Sequence, residues 1–265
     1  MAPRPIGVFD SGFGGLTVAR ALIDLVPDQD LVYFGDTGRY PYGPRDLDEV
    51  REFAIEIADH LVERYGIKLL VVACNTASAA ALDDLRDKLA IPVLGVIEPG
   101  IVAAAQVSRS GRVGVVGTVG LVASGAYPQS VDEHGLDIEL TTCACPGFVE
   151  FVERGEVDGE GIAVLAERLL SPVKDADVDT LLLGCTHYPY LARTIADVMG
   201  RDVVLVSSAD ETAFEVRRLL VEDRTPGYVG QHTFVSSGDA NVFEAIGRKL
   251  FGAELAGARQ HRWPS

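Results

Sequence analysis

Two apolar runs in this 265-residue chain end in a cysteine followed by polar residues: "VVACNTAS" at 71–78 and "LLGCTHYP" at 182–189. A cysteine after an apolar strand is often no more than a small buried hydrophobe. Cys74 and Cys185, however, each precede an expected helix start, where free backbone N–H groups and the positive end of the dipole lower a thiol's pKa from about 8.5 toward neutrality. Near neutrality a thiolate can act as a base and a thiol as an acid. Two of them, reaching one carbon from opposite sides, can take a proton from one face and return one to the other. That inverts a stereocentre without a cofactor.

Other thiol chemistries fit less well. A cysteine phosphatase needs Cys-x5-Arg, whereas seven residues separate Cys185 from Arg193 and Cys74 meets no Arg before Arg86. His187, two residues after Cys185, could serve as the base of a papain-like nucleophile, so a Cys-His hydrolase or transferase stays open. Cys74 would then have no role. A binding protein that uses the same pocket without chemistry is a third reading. Cys143 and Cys145 show neither Cys-x-x-Cys nor a His at metal-ligand spacing, so no metal is expected, and buried thiols are a better reading than a redox pair. His60, His134, His232 and His261 join no constellation and are expected as surface or core residues.

The elements that must position these groups are short apolar runs: "IGVF", "LVYF", "LLVVA", "VLGVI", "VGVVG", "TLLLG" and "VVLVS". Continuous apolarity suits strands covered on both faces by helices, hence mainly parallel sheets. Between the second and third runs, Leu47, Val50, Phe53, Ala54, Ile57, Ala58, Leu61 and Val62 recur at three-and-four spacing and predict an amphipathic helix after Asp46. The class is α/β. "IGVFDSGFGGLTVA" resembles "VGVVGTVGLVASGA", with Gly7 and Gly114 offset by 114 − 7 = 107, and the cysteines are offset by 185 − 74 = 111. Two similar offsets predict two pseudo-symmetric α/β domains, 1–97 with 208–265, and 98–207. Ligands of open parallel sheets sit beyond the carboxyl ends of the strands, so Asp10, Cys74, Thr118 and Cys185 are expected to converge on a cleft between the domains.

Lys plus Arg number 23 against 39 Asp plus Glu, a net charge of −16 that repels polyanions and argues against general nucleic-acid binding. No run of 18 apolar residues and no basic-then-apolar start is present, so a cytoplasmic protein without a membrane segment is expected. In "DSGFGG", Gly12-x-Gly14 begins a dinucleotide fingerprint, but Thr17 stands at the third glycine position. A turn whose N–H groups hold a small carboxylate fits better than a nucleotide site. The Gly- and Pro-rich "GDTGRYPYGP" is a loop that carries Asp36, Arg39, Tyr40, Tyr42 and Gly43, and loops often carry function.

"FDSGFGGLTV", "YFGDTGRYPYG", "ACNTAS", "CPGFVEFVERG" and "GCTHYP" occur in this order and near-spacing in the cofactor-independent glutamate racemases, and the chain resembles that family over positions 6 to about 208. The resemblance implies that Cys74 and Cys185 are the acid/base pair, acting on D- and L-glutamate respectively, with Asp10 and His187 assisting and Glu153 and Asp36 as further candidates. It also implies that Asp10, Ser11, Asp36, Tyr42, Gly43, Asn75, Thr76, Thr118, Thr186 and His187 bind substrate. A homodimer, no cofactor and supply of D-glutamate for peptidoglycan follow from it; gyrase binding, a property of some relatives, is assigned by no segment here. Two positions depart from the family pattern: Tyr190 stands where Leu is common, and Glu150 where Pro is common. The neutral donors Ser11, Asn75, Thr76 and Thr186 suit carboxylates held by hydrogen bonds. Aspartate is the nearest alternative substrate, since one methylene changes pocket binding by only about 1 to 3 kcal/mol.

Overall fold

A computed structural model describes residues 4–221 and 227–263. Among the described residues, ten strands lie in chain order at Ile6–Asp10 (β1), Leu31–Gly35 (β2), Leu69–Val72 (β3), Val93–Gly95 (β4), Arg112–Gly117 (β5), Glu139–Ala144 (β6), Thr180–Gly184 (β7), Val204–Ser207 (β8), His232–Ser236 (β9) and Arg259–Gln260 (β10). They form two sheets, ordered β10-β9-β2-β1-β3-β4 and β6-β5-β7-β8, and every strand pairing is parallel. The α/β class and the parallel sheets expected from continuous apolarity are therefore present. β1, β2, β3 and β7 are buried at every residue because helices cover both faces.

Counted from its own first strand, each sheet repeats the order 2-1-3-4: β2-β1-β3-β4 in one and β6-β5-β7-β8 in the other. This is the structural counterpart of the weak sequence repeat. Cys74 follows β3 and Cys185 follows β7, so the two sulfurs occupy equivalent places. The order reverses direction at β1 and at β5, and a crevice opens at such a switch point.

Two helices tie the sheets together. Helix Ile97–Val107 leaves β4 of the six-stranded sheet, yet packs Ile101 and Ala104 into the core under the four-stranded one. Helix Ser208–Leu219 leaves β8 and packs Ala209, Ala213 and Val216 under the six-stranded sheet. The two helices pack on each other. Each fully buried Val, Leu or Ile at these seams contributes about 1.5 to 3 kcal/mol through water exclusion.

The predicted amphipathic helix spans Leu47–Tyr65, capped by Asp46, whose side chain accepts from Asp48 N, and ended by Gly66 in the left-handed region at φ 60°. Two strand expectations change. "VLGVI" stops as a strand at Gly95 because Ile97 begins the next helix, and β6, β9 and β10 have no counterpart among the predicted runs. β6 is an edge strand with mostly half-exposed residues, which dilutes the apolar signal. Among the described residues no helix is long and apolar enough to cross a membrane.

Candidate active site

Four strand ends meet at one cleft. β1 ends in Asp10 and turns through Ser11–Gly15 into helix Leu16–Leu25. β3 delivers Cys74 as the N-cap of helix Asn75–Lys88, with Ala77 N donating to its Sγ at 3.5 Å. β5 leads to Thr118, N-cap of helix Val119–Ser124, whose Oγ1 accepts from Leu121 N at 3.3 Å. β7 leads to Cys185, but the next element is a 3-10 turn at Tyr188–Leu191, and an α-helix begins only at Ala192. The helix-start argument therefore holds for Cys74 and not for Cys185.

Cys74 and Cys185 both line a single cleft of about 110 Å³. Ser11, Tyr42, Gly43, Asn75, Thr76 and Thr118 share its wall, as do Thr186 and His187. These groups come from both sheets, and no Lys or Arg lines the cleft among the described residues. Thr76 Oγ1 and Thr118 Oγ1 lie 3.1 Å apart across the seam between the halves. Gly14 makes the approach possible: a Cβ there would collide with Thr186 Oγ1 and His187 Nδ1. The "DSGFGG" turn thus serves close packing of one half on the other, and the N–H of Gly12 is taken by Asp10 Oδ2 at 2.9 Å.

Three sequence candidates stand behind the wall. Asp10 is fully buried and accepts from Gly12 N and, at 3.2 Å, from Thr186 Oγ1 of the opposite half. Glu153 lies 3.3 Å from His187 Nε2. Asp36 is fully buried, and its carboxylate accepts from Tyr42 Oη, Arg39 Nε at 2.7 Å, Ser237 Oγ at 2.6 Å and Trp263 Nε1 at 3.1 Å. With four donors on two oxygens, Asp36 anchors the Tyr42 loop and has no open lone pair to offer a substrate.

Sequence reasoning missed other wall residues. Tyr40, Cys145, Pro146, Gly147, Val149 and Glu150 also face the cleft. Tyr40 sat in a loop already singled out, and the remaining five sit in or beside "CPG", so each had a local signal that pointed at the motif but not at the side chain. All four cysteines are buried free thiols. Cys143 Sγ donates to Leu169 O at 2.9 Å, a core contact.

The two cysteines have unlike surroundings. Burial, then the nearby Asp10 carboxylate, push the Cys74 thiol up to about 12, against the opposing hydrogen bond from Ala77 N–H. The lowering expected from the helix start is real but loses to desolvation. Beside Cys185, His187 Nδ1 lies 3.8 Å from the sulfur. Burial lowers the His187 pKa, yet the hydrogen bonds to Cys185 and Glu153, with the Cys185 and Asp10 charges, outweigh it and raise it to about 10. His187 is thus an imidazolium at neutral pH, the one cationic side chain on the described cleft wall.

The profile of the Asp/Glu/hydantoin racemase family matches residues 8–215. A glutamate racemase of Parafrankia sp. (strain EAN1pec) is 49% identical over 259 residues, 96% of this chain and 93% of that protein. The crystal structure of a glutamate racemase isoform from Bacillus anthracis superposes with a TM-score of 0.93 at 38% identity, covering 100% of this chain and 98% of that one. The Francisella tularensis glutamate racemase, solved in complex with D-glutamate, gives a TM-score of 0.90 at 32% identity, with 97% of each chain covered.

Proposed function

The chain belongs to the Asp/Glu/hydantoin racemase family, and we propose that it interconverts L- and D-glutamate by proton transfer between two cysteines at the α-carbon. The observation that carries this reading is that Cys74 and Cys185, at equivalent strand ends of two sheets, line the same cleft. Cys74 exchanges the proton on the D face and Cys185 on the L face. One sulfur must be a thiolate when the other is a thiol, and each turnover swaps them. Asp10 and His187 assist the two sulfurs, and Glu153 holds His187 in place.

Substrate recognition follows from the wall chemistry. Glutamate carries two carboxylates into a protein of net charge −16, so local donors must bind it. Ser11, Thr76, Thr118 and Thr186 supply hydroxyls, and the Tyr42–Gly43 backbone supplies N–H groups. Neutral donors avoid holding the ground state so tightly that the transition state gains nothing. Asp36 acts through Tyr42, not on the substrate. The reading needs no added cofactor.

The family reading brings further proposals. Residues 1–97 with 208–265, and 98–207, are two domains whose closure excludes water from the cleft; the membership of strands in the two sheets supports this division. The protein forms a homodimer, works in the cytoplasm and supplies D-glutamate for peptidoglycan. Sedimentation velocity at micromolar concentration tests the dimer.

The decisive measurement is L-glutamate in D2O without pyridoxal phosphate, followed by optical rotation and by α-deuterium. Loss of rotation with one deuterium incorporated is expected. Retained configuration without exchange refutes the racemase reading, and a requirement for pyridoxal phosphate refutes the two-cysteine mechanism. L-Aspartate in parallel measures how strictly the cleft selects chain length.

A further inference from the structure

Tyr127 belongs to helix Ala126–Glu133, which packs under the four-stranded sheet, and it is 2% exposed. Its hydroxyl nevertheless reaches across the seam and accepts from Asn75 Nδ2 at 3.0 Å. Asn75 follows Cys74 directly. The Tyr127 ring also rests on the end of β7, where a Cβ on Gly184 would stand 3.1 Å from both Cε2 and Oη. Gly184 precedes Cys185 directly. One side chain therefore touches the chain neighbours of both cysteines.

Asn75 shows what this contact does. It is 3% exposed, it lines the cleft, and its Oδ1 is buried without any hydrogen-bond partner. A buried amide oxygen left open is an acceptor waiting for a donor. Glutamate at neutral pH has one donor group, the α-ammonium, since both carboxylates only accept. Without the bond to Tyr127 the Asn75 amide turns freely about its Cβ–Cγ axis, and Oδ1 faces the substrate only part of the time.

Building on the racemase reading, we propose that Tyr127 is a positioning residue: its hydroxyl fixes the Asn75 amide so that Oδ1 receives the substrate's α-ammonium, in register with Cys185. The ammonium is present in ground and transition states alike, so the contact contributes uniform binding and governs KM more than kcat.

Tyr127→Phe removes the hydroxyl and keeps the ring. KM for both L- and D-glutamate is expected to rise about tenfold, as for a lost hydrogen bond to a charged group, with kcat within about threefold of the parent. Competitive inhibition by glutarate, which has both carboxylates but no ammonium, should be unchanged. Asn75→Ala should raise KM at least as much, and adding Tyr127→Phe to it should change KM no further, because the hydroxyl acts through an amide already removed. An unchanged KM in Tyr127→Phe, an additive double variant, or weakened glutarate binding would each overturn the inference. Thermal unfolding of the four proteins separates loss of fold from loss of positioning: additivity accompanied by a lower Tm in both Tyr127→Phe proteins assigns Tyr127 a packing role instead. If the parent protein neither racemises L-glutamate nor exchanges its α-proton, the racemase reading has failed, and with it the premise of the inference; a parent that racemises while Tyr127→Phe matches it sinks the inference alone.

Discussion

Cys74 and Cys185 end equivalent strands of two sheets with the same order, but their neighbours carry opposite charge. Behind Cys74 lies the buried Asp10 carboxylate, which helps burial to keep that thiol protonated. Beside Cys185 lies the His187 imidazolium, backed by Glu153. Backbone repetition placed the two sulfurs alike, as a reaction with mirror-related substrates requires. The side chains around them break the symmetry, so this form of the protein holds an acid on one face and a sulfur next to a cation on the other. We expect that form to be set for removal of the proton from L-glutamate by Cys185.

Removing one sulfur at a time has the largest expected effect. Because positioned acid/base groups are worth roughly 10² to 10⁴ in rate, Cys74→Ser and Cys185→Ser should each lower kcat in both directions by at least about a hundredfold. The two should differ in exchange: Cys74→Ser should still wash the α-proton of L-glutamate into D2O without inversion, and Cys185→Ser should not. Racemisation by Cys74→Ser at more than about a tenth of the parent rate would favour a Cys-His mechanism at Cys185 alone.

A smaller effect should follow from taking away the cation. His187→Gln should slow the L-to-D direction by about ten- to a hundredfold and the reverse direction less. In the parent, the L-to-D rate should fall above about pH 10 as the imidazolium loses its proton, and the variant should lack that alkaline limb in a pH-rate profile. Equal loss in both directions would remove the asymmetry between the faces.

On the other face, Asp10→Asn removes the carboxylate that raises the Cys74 thiol. In a Cys185→Ser background, alkylation of Cys74 by iodoacetamide at pH 8 should become about tenfold faster, the change in thiolate fraction that corresponds to ~1.4 kcal/mol. The smallest expected effect is on stability. A Cys74 thiol raised from 9.0 to about 12 in the folded state makes the unfolded chain bind fewer protons between those values. Its contribution is present below pH 9 and is lost as pH rises toward 12. The parent should therefore lose about 1 kcal/mol more than Cys74→Ser between pH 8 and pH 10 in urea denaturation.

Much of the site was legible, the two cysteines, Thr118, His187 and the Tyr42–Gly43 loop from types and spacings and the other wall residues through the motifs shared with the racemase family. Both cysteines, Ser11, Tyr42, Gly43, Asn75, Thr76, Thr118, Thr186 and His187 sit on the cleft wall. Their strands are apolar end to end, and a strand buried on both faces announces itself by composition. The edge strand β6 and the partly exposed β9 were harder because half-exposed residues mix polar with apolar types. Asp36 shows a different limit. The family resemblance implied substrate binding, but Ser237 and Trp263, about two hundred positions away in the chain, occupy one of its oxygens. Tyr127 carried no signal, because a tyrosine in an amphipathic helix looks like core.

By itself the sequence determined the α/β class, the buried strands and the two Cys-polar-polar turns, since each depends on local pattern and on the chain's own steric preferences. Tertiary structure alone decided which side chains meet across the seam: Gly14 against His187, Asp10 on Thr186, Tyr127 on Asn75. It also decided the protonation of Cys74, where burial outweighs the helix start. Desolvation and Coulomb effects depend on distance in space, and residues 52 to 176 positions apart acquire that distance only when the two halves pack together.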